Sequence, residues 1–245
     1  MNPKKFNIKM NFQNEKKQTL EKKDKSTIGE IDKKIVGLCD KINSLDDYYT
    51  TSSCAGRVKL VRETGKKEPD LFVWVSHEVI SFDELKGELD RILNEQSPSE
   101  NLVQYDNSLS QKQSPTINPP SHPLLGDCYS STKLINKSSV NSNKKIYFKQ
   151  EPCILHVACK NFDSAMDLLK KAQLSGWKRS GLIDNGKFVL ELLSTEKMEL
   201  PIIKDGKILV DDDYLKLIVD EANDRVGRVW GKIQRLETLI SRISS

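Results

Sequence analysis

The stretch Thr50-Thr51-Ser52-Ser53-Cys54-Ala55-Gly56-Arg57-Val58-Lys59-Leu60-Val61-Arg62 joins a run of small polar side chains to an alternating apolar run. Runs of this kind predict strands at 48–53 and 58–62, with a turn at the intervening glycine, which is free to adopt positive φ. The run supplies hydroxyls, a thiol and a permanently charged guanidinium, which suit a polar, charged ligand. The alternative is a polar strand ending in a turn, with Arg57 in a surface ion pair.

Helical and strand-like patterns surround this stretch. The pair Thr27 and Glu30 forms a capping box before a helix, and Ser81 and Glu84 form a second one. Apolar residues follow each box at spacings of three and four: Ile28, Ile31, Ile35, Leu38 and Ile42, then Phe82, Leu85, Leu89, Ile92 and Leu93. Another strand is expected at 71–76. The first half of the ordered chain therefore combines two helices with three strands.

Hairpins dominate the second half of the chain. A strand at 154–159 precedes a helix over 162–174, where Gly176 occupies the usual position after a helix end. The dipeptides Asn185-Gly186 and Asp205-Gly206 predict tight turns between strands, and a long final helix follows Asp211. Strands joined by hairpins and interrupted by helices predict an α+β fold, with a largely antiparallel sheet and packed helices.

Composition divides the chain into ordered and polar segments. The 245 residues are 37% hydrophobic and 30% charged, which is more polar than a compact domain of this length. Residues 1–25 are predicted to be a disordered basic extension, and residues 96–145, rich in Ser, Asn, Gln and Pro, a disordered insertion. Residues 26–95 and 146–226 are predicted to form one α+β domain, and residues 227–245 a C-terminal helix.

Several classes of protein are excluded or disfavoured by the sequence. No apolar run of membrane-spanning length and no signal-peptide pattern is present. Five cysteines without scaffold-like spacing indicate reduced thiols in a cytosolic or nuclear compartment, and of the two we expect the cytoplasm. The net charge of +4 permits an RNA partner without requiring one. The chain lacks the G-x-G-x-x-G, Walker A and G-x-S-x-G sequences, and the sequence does not specify an oligomeric state.

The spacing Cys153-x-x-His156-x-x-Cys159 raises the question of a metal site. Side chains alternate between the two faces of a strand, so His156 is expected to point away from both cysteines. No metal site is therefore predicted, unless Cys54 or His77 joins from elsewhere in the chain. Both strand cysteines are expected in the core.

Two histidines and one polar cluster are further candidates for function. His77 ends the apolar run at 71–75, and His156 lies inside its strand; imidazole exchanges protons near neutral pH, so either is a candidate proton acceptor. A buried histidine bonded to backbone is the alternative. The cluster Trp177-Lys178-Arg179-Ser180-Gly181 can stack on a base and bind phosphate, or can form an edge strand protected by charges.

Taken in order along the chain, these clusters resemble the tRNA wybutosine-synthesizing protein 3 family. The matching stretches are Tyr49 to Arg57, Trp74 to His77, Glu151 to Cys159, Gly176 to Gly181 and Leu200 to Val210, followed by Tyr214, Ala222 and Asn223. The resemblance covers about 26–226. The insertion and the lysine-rich start lie outside it, and Trp177 stands where the family more often has phenylalanine.

This resemblance implies an enzyme that uses S-adenosyl-L-methionine to methylate phenylalanine tRNA. The family acts on the N4 nitrogen of a demethylwyosine base that bears an aminocarboxypropyl group, in wybutosine biosynthesis, and its fold differs from that of the doubly wound methyltransferases. The hypothesis is that Ser52, Ser53, Gly56 and Arg57 bind the carboxylate of the cofactor or of the aminocarboxypropyl group. His77 or His156 would orient or deprotonate the base, and the substrate would lie against Trp74, Trp177, Lys178, Arg179 and Ser180. A non-catalytic tRNA-binding module is the alternative.

Overall fold

A computed structural model describes residues 3–21, 32–63, 71–96, 145–184 and 187–241. In these residues the helices are α1 (Pro3–Leu20), α2 (Lys33–Ser44), α3 (Phe82–Gln96), α4 (Phe162–Leu174) and α5 (Asp212–Ser241). The strands are β1 (Tyr48–Cys54), β2 (Arg57–Arg62), β3 (Phe72–Ser76), β4 (Ile146–Glu151), β5 (Ile154–Cys159), β6 (Gly181–Asp184), β7 (Phe188–Leu193), β8 (Met198–Lys204) and β9 (Lys207–Ile208).

The strands of the described residues form two antiparallel sheets rather than one. The first sheet has the order β1-β5-β7-β6, and the second has the order β3-β2-β4-β8-β9. Every strand pair is antiparallel. The expected α+β class is confirmed, and the difference in sheet number arises because the chain bends between β1 and β2.

A bent two-stranded ribbon connects the two sheets. Strand β1 continues into β2 through Ala55 and Gly56, and β4 continues into β5 through Pro152 and Cys153. Because β1 pairs with β5 and β2 pairs with β4, the two bends lie side by side. We call these four residues the ribbon bend. Ala55 and Cys153 are fully buried there, so the bend is part of the core.

Gly56 is required at the ribbon bend by its backbone and by its neighbours. Its φ of +91° lies in the region that side chains disfavour. A Cβ atom at this position would lie 3.1 Å from the carbonyl oxygen of Glu151 and 3.4 Å from a methyl carbon of Val229. The glycine thus lets the two strands of the ribbon pack closely against α5.

Helix α5 closes both hydrophobic cores. Its 30 residues span about 45 Å at 1.5 Å per residue. The N-terminal half packs with α3 on the second sheet, and the C-terminal half packs with α2 and α4 on the first sheet. The predicted boundary at 226/227 therefore falls inside one continuous helix, at the point where it passes from one core to the other. The periodicity at 226–243 belongs to this longer element.

Helix α1 corrects the prediction of a disordered extension for 1–25. The ring of Phe12 packs 5.2 Å from that of Tyr49 on β1. Gln13 and Lys16 donate hydrogen bonds to the carbonyl oxygens of Asp46 and Leu45. These contacts order a lysine-rich helix that has few large apolar residues of its own. Residues 22–25 and the insertion at 97–144 lie outside the described residues.

Local signals in the sequence set several element ends. Ser81 and Glu84 form the expected reciprocal capping box, with bonds of 2.7 and 3.1 Å. Asp205 and Gly206 both have positive φ in the tight turn between β8 and β9. Helix α2 instead begins at Lys33 with Asp32 as its N-cap, whereas the proposed Thr27 cap lies outside the described residues. This difference matters for function, because Asp32 also contacts the bend.

Replacing Gly56 by alanine should destabilise the protein. We expect Gly56→Ala to lower the free energy of unfolding by about 1–3 kcal/mol, because the new Cβ meets backbone at a positive φ. The control is Gly227→Ala on α5, where no neighbouring atom lies within 4 Å of the added carbon. This change should raise the free energy of unfolding by up to about 1 kcal/mol, because alanine favours a helix more than glycine does. Urea denaturation measures both, and equal effects of the two changes would contradict the role of Gly56.

Candidate active site at the ribbon bend

Two histidine clusters lie next to each other along β1, close to the ribbon bend. The His156 cluster consists of Ser52, His156 and Glu191, and the His77 cluster consists of Asp32, Cys54 and His77. Ser52 and Cys54 are two residues apart on β1, so they share a face of the strand and their Cα atoms lie about 7 Å apart. The two clusters therefore form one polar region.

The His156 cluster is a hydrogen-bonded row across three neighbouring strands. Ser52 Oγ lies 2.7 Å from His156 Nδ1, and His156 Nε2 lies 3.1 Å from Glu191 Oε2. The register places the three residues opposite one another on β1, β5 and β7, and Gly181 of β6 is opposite Glu191. The side chains of His156 and Glu191 are 25% and 40% exposed. The row is accessible, and its imidazole is fixed from both sides.

Strand alternation explains why His156 faces outward while the cysteines do not. Its neighbours Leu155 and Val157 are fully buried in the first core, together with Cys153 and Cys159. Burial raises the pKa of each of these two thiols to about 12. The expected separation of His156 from both cysteines is confirmed, so these three residues are not a set of metal ligands.

The His77 cluster brings together residues from three separate parts of the chain. Asp32 Oδ2 lies 3.2 Å from His77 Nδ1 and accepts a hydrogen bond from the backbone N–H of Ala55. Its other carboxylate oxygen caps α2 through the N–H of Lys34. The Cys54 thiol completes the group, and burial raises its pKa. The carboxylate thus links the start of α2, the bend and the loop after β3.

A basic group lies on β2, directly after the bend. Arg57 Nε and Lys59 Nζ lie 2.7 and 2.5 Å from the two carboxylate oxygens of Glu151. Burial opposes ionisation of Glu151, but the hydrogen bonds from Lys59 and Arg57 outweigh it and hold its pKa below the usual value. Burial also lowers the pKa of Lys59, and the ion pair offsets only part of this effect. Two cations share one carboxylate, which leaves the group net positive.

The residues predicted to bind the cofactor do not all face one way. Ser52 is exposed in the His156 cluster and Arg57 is half-buried in the basic group. Ser53 is on the opposite face of β1, where its hydroxyl bonds the Cys39 thiol. Gly56 is buried and serves the bend. Strand alternation and the bend therefore separate a contiguous motif into two accessible residues and two structural ones.

The substrate candidates are also divided between the surface and the core. Trp177 is fully buried in the first core and donates from Nε1 to the carbonyl of Lys232, so the prediction that it stacks on a base is wrong. Trp74 packs against the second core. Ser180 Oγ donates to Trp177 O and accepts from Leu193 N, so it holds the loop. Lys178 and Arg179 are exposed and remain candidates for RNA contact.

Three residues of this region were not identified from the sequence. Asp32 falls inside the helix that the capping box of Thr27 and Glu30 predicts, and Glu191 belongs to no motif of the sequence. Phe72 is 47% exposed, and its ring lies beneath Arg57 and Lys59 at 5.5 and 4.6 Å. Its position at the start of an apolar strand was the available signal, because an aromatic side chain on the outward face of such a strand is unusual.

Comparison with known proteins is consistent with this arrangement. Residues 13–242 match the family model described as Methyltransferase TYW3. The chain belongs to this family. It is 29% identical over 84% of its length to a tRNA(Phe) 7-((3-amino-3-carboxypropyl)-4-demethylwyosine(37)-N(4))-methyltransferase of Archaeoglobus fulgidus, of which 81% is covered. The protein of the same name from Methanocaldococcus jannaschii is 31% identical over 78% of this chain and 76% of its own.

Solved structures share the fold. The PH1069 protein from Pyrococcus horikoshii superposes with a TM-score of 0.66 and 26% identity, over 95% of this chain and 97% of its own. A hypothetical protein from Aeropyrum pernix has a TM-score of 0.58 at 20% identity, over 86% of this chain and 98% of its own, which shows the fold alone. This member of a methyltransferase family therefore has, in its described residues, two antiparallel sheets rather than a doubly wound parallel sheet. In the part of the chain that the structure describes, no helix is long and apolar enough to cross a membrane.

Substitutions at Trp177 should distinguish a core role from a base-stacking role. Trp177→Ala should lower the free energy of unfolding by about 3–5 kcal/mol. Trp177→Phe should cost less and leave tRNA affinity unchanged, because the ring does not reach solvent. Lys178→Ala and Arg179→Ala should weaken tRNA binding and reduce its salt dependence. Urea denaturation measures the free energies of unfolding, and filter binding at several salt concentrations measures tRNA affinity; a weakened tRNA affinity in folded Trp177→Phe would contradict the core role.

Neutralising Glu151 should change the acid stability of the protein. The lowered pKa means that ionised Glu151 stabilises the folded state at neutral pH, and that this contribution is lost as the pH falls below about 4.5, the ordinary value. Glu151→Gln should therefore reduce stability at pH 7 by about 1–3 kcal/mol and flatten the acid limb. The control is Glu199→Gln, which removes the more exposed ion pair with Lys149 and should reduce stability at pH 7 by a smaller amount. Denaturation curves from pH 7 to pH 3 give both values; an unchanged acid limb in Glu151→Gln would contradict the role of this ion pair.

Proposed function

We propose that this protein methylates the N4 nitrogen of 7-(3-amino-3-carboxypropyl)-4-demethylwyosine at position 37 of phenylalanine tRNA, with S-adenosyl-L-methionine as methyl donor, in the cytoplasm. The family membership and the names of the relatives support the reaction. The observation that carries the proposal for the site is the exposed His156 row, in which hydrogen bonds on both sides fix an imidazole.

The charged groups of the site suit an α-amino acid. Arg57 and Lys59 retain a net positive charge beside Glu151, which favours a carboxylate, and Asp32 and Glu191 provide acceptors for an ammonium group. Both the methionine part of S-adenosyl-L-methionine and the aminocarboxypropyl group of the substrate have this zwitterionic chemistry. Arg57 and Ser52 would hold the carboxylate of one of them. When bound, the cofactor supplies a methyl group activated by a sulfonium.

The main chemical task of the protein's own residues is to remove a proton. Methylation of N4 would leave the base positively charged unless its N–H proton is accepted by a group of the protein. If Glu191 accepts from His156 Nε2–H, Nδ1 is unprotonated and accepts from the Ser52 hydroxyl. The proton of N4 then passes to Ser52 while Ser52 donates its own to His156.

We expect the groups around the His156 row to orient the tricyclic base. The exposed ring of Phe72 is available for stacking beside Arg57. His77 would hold the base from the side of Asp32. Lys178 and Arg179, close to β7 through the bond of Arg179 N to Leu193 O, would contact the tRNA backbone. Positioning of this kind contributes much of the acceleration in a displacement between two bound partners.

The proposal is tested by methylation of precursor tRNA with site variants. His156→Asn should lower kcat by about 10²–10⁴-fold, because general base catalysis is lost, while tRNA and cofactor affinity persist. Glu191→Gln should have a smaller effect, because the ring keeps one hydrogen-bond partner. The control is Glu221→Gln on α5, a carboxylate in an ion pair with Arg225 outside both clusters, which should keep full activity.

Two results would overturn the proposal. Full methylation by folded His156→Asn would remove the proton-transfer role, and full methylation by both Arg57→Ala and His77→Ala would remove the site assignment. Calorimetry with S-adenosyl-L-methionine tests the alternative of a non-catalytic tRNA-binding module. That alternative requires tRNA affinity without cofactor affinity, whereas the proposal requires both.

A further inference from the structure

Asp32, Cys54 and His77 combine the three ligand types that proteins use for zinc at one point of the ribbon bend. One oxygen, one sulfur and one nitrogen atom lie within 4.8 Å of one another. A thiolate with an imidazole favours zinc over magnesium or calcium, which prefer oxygen ligands. We infer that these three side chains form a binding site for a zinc-class divalent cation.

The spacing of the three ligand atoms is close to what a tetrahedral ion requires. Zinc bonds of about 2.0–2.3 Å separate neighbouring ligands by roughly 3.3–3.8 Å. The 3.2 Å between Asp32 Oδ2 and His77 Nδ1 is already near this range, and the 4.8 Å limit on all three leaves at most about 1 Å of adjustment.

The backbone orients the carboxylate before any ion is bound. Asp32 Oδ1 is fixed by the N–H of Lys34 at the start of α2, and Oδ2 is fixed by the N–H of Ala55 at 3.2 Å. Outer contacts of this kind hold ligands in place in metal sites. Asp32 is 7% exposed and His77 is 23% exposed, so the group is shielded but can be reached. The three ligands come from separate elements, which a bound ion would tie together.

The charges also balance. A deprotonated Cys54, an ionised Asp32 and a neutral His77 together carry two negative charges, which match one divalent ion. Cys54 gives up its proton to solvent on binding. Three protein ligands leave a fourth position for water or for an oxygen of the substrate. In the ion-bound form, Asp32 and His77 would act as metal ligands instead of contacting the amino-acid group and the base directly. The affinity for an ion can be measured whether or not the proposed reaction occurs.

Metal content and cobalt spectroscopy test the site directly. The full chain, stripped with chelator and given one equivalent of zinc, should retain about one ion per chain after desalting, measured by mass spectrometry of the metal. Cobalt in place of zinc should produce a thiolate charge-transfer absorption band. Cys54→Ser should abolish the band, and Cys54→Ser, His77→Gln and Asp32→Asn should each weaken zinc binding at least about tenfold.

Matched controls identify the ligands. Cys39→Ser removes a buried thiol of α2 and should leave the cobalt band intact. The chain has a further histidine and cysteine, His122 and Cys128, outside the described residues, and the double variant His122→Asn, Cys128→Ser should still bind zinc. Circular dichroism confirms folding, and Asn is itself a good N-cap for α2. Zinc binding that survives Cys54→Ser and His77→Gln, that is lost in the His122 and Cys128 variant, or that is absent from the folded wild-type chain would overturn the inference.

Discussion

The close approach of the two ribbon strands at Gly56 is the constraint on which the rest of the structure depends. At that point β1 and β5 leave the first sheet and continue as β2 and β4 in the second. The bend needs a positive φ and no side chain, since a Cβ would contact the carbonyl of Glu151 and the side chain of Val229. One glycine therefore lets a single ribbon serve two sheets and lets one helix cover both.

The bend also explains why reactive groups collect where they do. A regular ladder satisfies its backbone groups internally, whereas a bend leaves some of them for side chains. Ala55 N–H is bonded by Asp32, and this contact draws the start of α2 toward His77. On the other side of the bend, Glu151 is fixed between Arg57 and Lys59. The His77 cluster thus includes a contact that also holds the bend, through the bond from Ala55 N–H to Asp32.

The sequence predicted those features that depend on local chemistry. The capping box at Ser81, the glycine after α4, the turn at Asp205 and the outward direction of His156 all follow from rules that act over a few residues. Contacts between distant residues were not predictable in this way. Asp32 meets His77 across 45 positions and His156 meets Glu191 across 35. No periodicity in the sequence encodes those pairs.

Local composition predicted the wrong environment for the lysine-rich N-terminal segment and for Trp177, because contacts with distant residues determine where both lie. The lysine-rich start forms α1, which docks through Phe12, through two side-chain bonds to backbone carbonyls and through contacts of Glu15 with Tyr49 and Lys187. Trp177 looked like a binding residue beside two cations, but its backbone lies directly after Gly176, which turns the ring into the first core. The family resemblance located the motifs correctly, while only the structure separates the side chains that face solvent from those that hold the bend.

Helix α5 has a consequence for the order in which the chain folds during synthesis. Both hydrophobic cores lack one wall until residues 212–241 have left the ribosome, since Leu215, Ile218 and Val219 complete one core while Ile233 and Leu236 complete the other. Neither sheet is therefore expected to reach its final packing before this helix is available, and the two should become stable together in one step. In the folded protein, α5 also couples the stabilities of the two sheets. If either end of this helix unfolds locally, it exposes part of an element that both cores share.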